Sequence, residues 1–353
     1  MSVMPDNRHT KRLTAGFDKD SRMRVLSEAP FNLESSLDLL ADPITPIAHF
    51  FLRNNHAIPT IAPAEWTLRV DGHVERPYTL GYAELRELPA ASIVAFLECY
   101  GNGRKRFAEQ GRQAEGIPWR NGAIGNAEWT GVPVAVLLER AGVRPGAVQA
   151  ECRGGAHDFV RGVEVAKLLD DAIVAYAMNG QDLPVAHGGP VRLVVPGWGG
   201  INWVKWIVDM TVLDHESLSP YNQQSYVLID QDGHVQGKAR EVRVKSMIVD
   251  PRPDQPLAAG AYALRGVAWS PHGIAGVEVS IDGGARWQPA ALMDDLGSRA
   301  WRQFVWSWDA APGEYLLASR ATDLAGNVQP VEVPFNQKGY LMNAIEFVPV
   351  RVV

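Results

Sequence analysis

The sequence is poor in the features that mark the commoner cofactor and scaffold classes. Its 353 residues include two cysteines, Cys99 and Cys152. One possible pair cannot make a disulfide framework, and there is no CxxC, so a reducing, cytoplasmic setting is the expectation. The nine histidines show no HExxH or HxxxH spacing, which argues against a zinc site made by protein alone. No GxGxxG or GxxxxGK[ST] loop follows a strand, which disfavours dinucleotide and P-loop sites. Runs of about 18 apolar residues are missing, so no membrane span is expected, and the polar N-terminus has no apolar export core. Lys11-Arg12 is too weak a signal for export. With 34 basic against 40 acidic residues the net charge is −6, and Arg104-Lys105-Arg106 is only a short basic cluster, so nucleic acid is not an expected partner.

What remains is a globular, loop-rich composition, 46% hydrophobic with 33 Gly and 24 Pro, of a length suited to two domains. The expected division is a polar, solvated arm over residues 1–30, an α+β domain over 31–235, and an all-β domain over 240–353. In the first domain an amphipathic helix is expected over 32–40, stopped by Pro43 and Pro46. Strands are expected at 66–74, 92–99 and 191–195, and helices at 82–88, 134–141 and 163–169. Residues 116–131, rich in Gly and Trp, read as a loop. Alternation over 204–212 puts Trp206, Val208 and Met210 on one face and turns Lys205 away from the most apolar layer. Beyond residue 240, strand-like runs recur near 241–249, 262–269, 276–281, 301–308 and 315–322. With the turn Asp282-Gly283-Gly284, their spacing suggests an immunoglobulin-like sandwich.

Cys99 closes a buried strand and runs into Gly101-Asn102-Gly103. Taken alone it reads as an inert small hydrophobe. The two glycines would let the backbone approach a bulky ligand, and Arg104 would favour a thiolate. A thiolate serves either as a soft metal ligand or as a nucleophile, the latter needing His157 or His187 as its base.

Several segments together carry a resemblance: Phe51-Leu52-Arg53-Asn54-Asn55, Leu97-Glu98-Cys99-Tyr100-Gly101-Asn102, Trp119-Arg120-Asn121-Gly122-Ala123-Ile124, Glu128-Trp129-Thr130-Gly131-Val132 and His187-Gly188-Gly189-Pro190-Val191-Arg192. Val195-Pro196-Gly197-Trp198-Gly199 and Val204-Lys205-Trp206 follow in the same order. In this the chain resembles the sulfite oxidase family over roughly residues 30–353, and its tail resembles that family's immunoglobulin-like dimerisation domain. The resemblance implies molybdenum held by one molybdopterin, with Cys99 as the protein's metal ligand. It implies cofactor contacts from Phe51, Arg53, Asn54, Asn55 or His56, His187, Arg192, Trp203, Val204 and Lys205. It also implies a cationic pocket for sulfite or another small oxyanion, formed by Arg53, Arg104 and Lys338 with Trp119 as a wall and Tyr226 as a hydroxyl donor.

The implied reaction is oxidation of sulfite to sulfate in a homodimer. Electrons leave to a separate acceptor such as a cytochrome, because no CxxCH haem motif is present. Reduction of nitrate or an S-oxide is the neighbouring alternative, and a non-catalytic binding or partner subunit is the alternative of another class. The chain departs from the family pattern at Lys338 (arginine in animal sulfite oxidases), Gly103 (commonly arginine), Tyr100 (usually alanine) and Ala156 (often aspartate, which Asp158 would have to replace).

Overall fold

A computed structural model describes residues 14–155, 158–253 and 256–353. Lys11, Arg12, Ala156 and His157 lie outside the described residues. Sheet dominates, and the longest α-helix that lies wholly within the described residues, Val134–Ala141, has eight residues. One five-stranded sheet has the order Gln181–Asp182, Ile173–Met178, Ile124–Pro133, Ala91–Glu98, with Arg192–Val194 also pairing with Ile173–Met178. The other runs Tyr78–Gly81, Thr67–Gly72, Ile207–Leu213, Gln149–Gly154, Val160–Glu164; Ile207–Leu213 lies parallel to Thr67–Gly72 and the remaining pairs are antiparallel. One core fills the space between them, with Trp66, Trp129 and Trp203 each at most 1% exposed.

The C-terminal part consists of two four-stranded antiparallel sheets. Lys245–Asp250, Gly260–Trp269, Arg302–Ala310 and Ala291–Leu292 form one; Gln288–Pro289, Ile274–Ser280, Gly313–Asp323 and Phe347–Val352 form the other. Leu264, Phe304 and Trp308 from the first meet Val277, Leu317 and Val350 from the second in a shared core. Trp269 and Trp301 instead seal the junction with the N-terminal half, packed with Phe96, Tyr100 and Tyr340.

Several local expectations are corrected. The arm is not solvated from Thr14 onward: Thr14, Lys19 and Met23 are buried, and Arg24–Glu28 pairs with Phe31–Glu34. That second strand replaces the first half of the expected 32–40 helix, because Asn32 uses its side chain to hold the Pro30 carbonyl and the Asn54 amide. Only the 3₁₀ turn Leu37–Leu40 remains helical. The second half of the supposed loop 116–131 belongs to the central strand Ile124–Pro133. Its glycines there serve close packing: a Cβ on Gly125 would fall 2.6 Å from the Phe50 ring, and one on Gly131 would strike the Val174–Ala175 backbone. The helix expected from residue 163 begins at Val165, after the strand Val160–Glu164. Finally, Trp206 has φ 53°, which breaks the alternation, so a strand exists only from Ile207. Lys205 therefore does not follow strand parity.

Candidate active site

Strand Ala91–Glu98 delivers Cys99 to the lining of a cleft. The Cys99 amide donates to the Ala123 carbonyl (3.0 Å), and its own carbonyl accepts from the Asn102 amide (2.8 Å), so the chain turns at the end of the strand. Gly101 leaves room for the Arg104 side chain, since a Cβ there would lie 2.7 Å from the guanidinium carbon. The thiol is partly exposed. Cys152 is its opposite: it sits inside strand Gln149–Gly154 at 0% exposure, and burial pushes its thiol up to about 12. The inert-hydrophobe reading describes Cys152, whereas Cys99 packs against the same core but also opens to the cleft.

The structure brings together Phe51, Arg53, Asn54, Asn55, His56, His187, Arg192, Trp203, Val204 and Lys205, all of which line the cleft with Cys99, Tyr100 and Tyr226. The basic side chains are held by backbone and amide oxygens. Arg192, at 1% exposure, donates to the His187 carbonyl (2.7 Å) and the Trp203 carbonyl (2.9 Å), while its buried Nε has no partner among the described residues. Lys205 donates to Asn54 Oδ1 (2.8 Å) and the Ala186 carbonyl (2.7 Å); the Asn54 side-chain amide is fixed in turn by the Phe31 carbonyl (2.8 Å). Arg53 bonds Asn55 Oδ1 and the Asn54 carbonyl.

Among the described residues no carboxylate lines this cleft. Burial, followed by Arg192, Arg53 and Lys19, pushes the Lys205 amine well below its ordinary range. Burial, followed by Lys19, Lys205 and Arg192, does the same to His187 and keeps it neutral. Like charges about 4 Å apart at an effective dielectric near 20 repel by about 4 kcal/mol. A buried cluster of this kind is complementary to an anion.

The expected substrate pocket is only partly assembled. Tyr226 lines the cleft, but Trp119 is buried behind Phe51, edge-on to its ring at 6.3 Å. Lys338 turns outward: its Nζ pairs with exposed Glu115 (2.5 Å), and only its backbone carbonyl reaches the site, accepting from Arg104 Nε (2.8 Å). Arg104 is spent largely on that bond and on the Ile117 carbonyl (2.7 Å), under the Tyr340 ring. Asp158 is exposed and does not line the cleft. His187, the hydrolase base candidate, is bonded to Lys19 (2.7 Å).

The sequence reading missed three features here. Lys19 enters from the N-terminal segment to meet His187. Arg161 is buried and donates to Asn202 Oδ1 (2.7 Å), whose amide donates to the Tyr100 hydroxyl (2.9 Å). Glu98, beside Cys99, accepts from Trp269 Nε1 and Asn102 Nδ2, both at 2.9 Å. Arg161 and Glu98 carried the signal of a charge inside an apolar strand; Lys19 carried none.

Residues 55–221 match the family model of the oxidoreductase molybdopterin binding domain, and residues 237–352 that of the Mo-co oxidoreductase dimerisation domain. The chain is 35% identical over 356 residues to the sulfite oxidase of Gallus gallus, covering 91% of this chain and 76% of that protein. The chain belongs to the sulfite oxidase family. Within it, the solved structure of the sulfane dehydrogenase SoxCD from Paracoccus pantotrophus superposes with a TM-score of 0.86 at 30% identity, covering 98% of this chain and 92% of that one. The nitrate reductase [NAD(P)H] of Hordeum vulgare is 31% identical over 91% of this chain and 41% of its own length.

The family's cofactor is molybdenum with molybdopterin, and the residues present fit it. The cleft offers one accessible thiol, three basic side chains with no opposing carboxylate, and an unpartnered buried guanidinium nitrogen. A soft metal needs the first, and an anionic phosphate-bearing organic ligand needs the others.

Proposed function

We propose that the protein oxidises sulfite to sulfate, with Cys99 as the metal ligand and with Arg53, His187, Arg192 and Lys205 holding the anionic end of the cofactor. The observation that carries this reading is the concentration of buried basic side chains, with no carboxylate among the described lining residues, in the same cleft as the accessible thiol. Bound there, the cofactor supplies oxygen-atom transfer and takes up the electron pair. Sulfite and water give sulfate, two protons and two electrons, and the electrons pass to a separate acceptor such as a cytochrome. In this reading Arg53 biases the cleft toward anions, the charge of Arg104 acts on Cys99 from behind the lining, and the Tyr226 hydroxyl orients one of the anion's oxygens.

Reduction of nitrate or an S-oxide is the second reading. The outward turn of Lys338 favours it, since one of the expected sulfite-binding charges does not reach the cleft. Turnover of molybdenum-loaded protein should be measured with sulfite and ferricyanide, and with nitrate or methionine sulfoxide and a reduced dye. Sulfite turnover with ferricyanide is the expected result; reduction of nitrate or sulfoxide without sulfite oxidation would overturn it. A retained fold with no bound molybdenum after expression in a cofactor-competent host would favour the binding-subunit alternative.

The same reading extends to the rest of the molecule. The C-terminal sheets are assigned an immunoglobulin-like fold that pairs two copies of the chain, which light scattering of the purified protein tests. The two unpaired thiols support a cytoplasmic setting. Among the described residues no helix is long and apolar enough to cross a membrane.

A further inference from the structure

Lys19 lies in a polar stretch, yet its side chain is inside the protein at 6% exposure. Its Nζ reaches the Ile47 carbonyl, the Phe50 carbonyl (2.9 Å) and His187 Nε2 (2.7 Å). An ammonium has three donors and no acceptor, and here it meets three acceptors if His187 Nε2 carries no proton. The proton of a neutral imidazole then sits on Nδ1. His187 lines the cleft, and its Nδ1 makes no hydrogen bond to a described residue. The Phe50 ring, edge-on at 5.4 Å, walls the imidazole on one side.

We infer that Lys19 is a positioning residue for the cofactor site: its ammonium locks His187 in the tautomer that presents an Nδ1–H donor to an anionic group in the cleft. This rests on the proposed role of His187 in holding the cofactor, and it draws the N-terminal segment into that site. The alternative proton arrangement shows why the lysine matters. An uncharged amine would donate to the two carbonyls and accept from Nε2–H, which would leave Nδ1 as a lone pair facing an anion. The field of Arg53, Arg192 and Lys205 favours an anion in the cleft, and that anion in turn holds the proton on Lys19. Burial, opposed in part by the charge of Asp18, pushes the Lys19 amine down to about 7, so the two arrangements lie close in energy until the anion arrives.

The test is nitrogen-15 NMR of the full-length protein labelled at histidine, with the His187 signal assigned by its loss in His187→Gln. With the cofactor bound, His187 should show a protonated Nδ1 and an unprotonated Nε2; the reverse pattern overturns the proposal. Lys19→Met should shift the tautomer toward Nε2–H and lower pterin retained per chain about tenfold, the worth of one charge-assisted hydrogen bond. Lys19→Arg, which keeps donors at that position, should retain Nδ1–H and most of the pterin. Unchanged tautomer and pterin content in Lys19→Met would sink the idea. If Lys19→Met does not fold, the wild-type spectrum decides alone. Wild-type protein that folds without pterin or molybdenum counts against the broader functional reading, and its His187 spectrum with inorganic phosphate added still reports the Lys19 contact: a protonated Nδ1 supports it and a protonated Nε2 overturns it.

Discussion

Two groups of basic side chains flank Cys99, and they are balanced in different ways. On one side Arg192, Lys205 and Lys19 are held by neutral oxygens and an imidazole, with no carboxylate lining the cleft. On the side of the C-terminal domain, Lys338 pairs with Glu115, and Lys245 faces the buried Glu98. The second group is balanced within the protein itself. In the first, Arg192 and Lys205 have no acidic neighbour and Lys19 has only Asp18, so the group carries charge left for a ligand to neutralise, and this is how a binding site can be told from a structural ion-pair network when both are rich in Lys and Arg.

Substitutions can break that comparison, and the largest effect belongs to the thiols. Cys99→Ser should abolish molybdenum retention and turnover, whereas Cys152→Ser should leave the metal content unchanged; elemental analysis of both variants separates them. Next comes Lys205→Met, which should weaken cofactor retention by about tenfold or more while raising the melting temperature of cofactor-free protein, because a buried cation without a counter-charge is removed. Lower stability in the cofactor-free form would contradict the picture.

Proton linkage gives a third, intermediate effect. Lys19 has a folded-state value of about 7 against 10.5 for the free side chain, and Lys205 is depressed too. The folded chain thus binds fewer protons than the unfolded chain above pH 7, and stability rises with pH through that window. The slope per group is at most about 1.4 kcal/mol per pH unit. Urea midpoints of cofactor-free protein should climb from pH 7 toward 10, and cofactor binding should flatten the curve; a flat or falling series in the cofactor-free protein would argue that the cluster is already compensated. Smallest is Lys338→Ala: an exposed pair with Glu115 implies a change in sulfite KM below about fivefold. A loss of a hundredfold would place that lysine in the cleft after all.

Much of the site was legible because family motifs sit on short, rigid pieces. Val134–Ala141 has an apolar face and a left-handed Gly142 cap, and it forms where the pattern puts it. Failures arose where a residue type has two uses. Gly125 and Gly131 look like loop glycines but permit close sheet packing. Trp206 looks like a strand residue, yet its positive φ turns the chain, and its indole is held by the Val185 carbonyl (2.8 Å). Lys338 and Lys19 show the limit from both directions, since local sequence sends neither inward nor outward. Lys19 is drawn in by the Ile47 and Phe50 carbonyls, and Lys338 is drawn out by Glu115, which lies 223 positions away in sequence.

The bond from Trp269 to Glu98 ties the C-terminal half to the residue next to Cys99. Severing the molecule between its halves would strip that carboxylate of its indole donor and of the nearby Lys245 charge, leaving a raw acidic wound one peptide unit from the sulfur. The two halves are therefore obliged to change together: any exchange of the tail for a foreign one must supply a donor and a cation at that spot before Cys99 can keep its place.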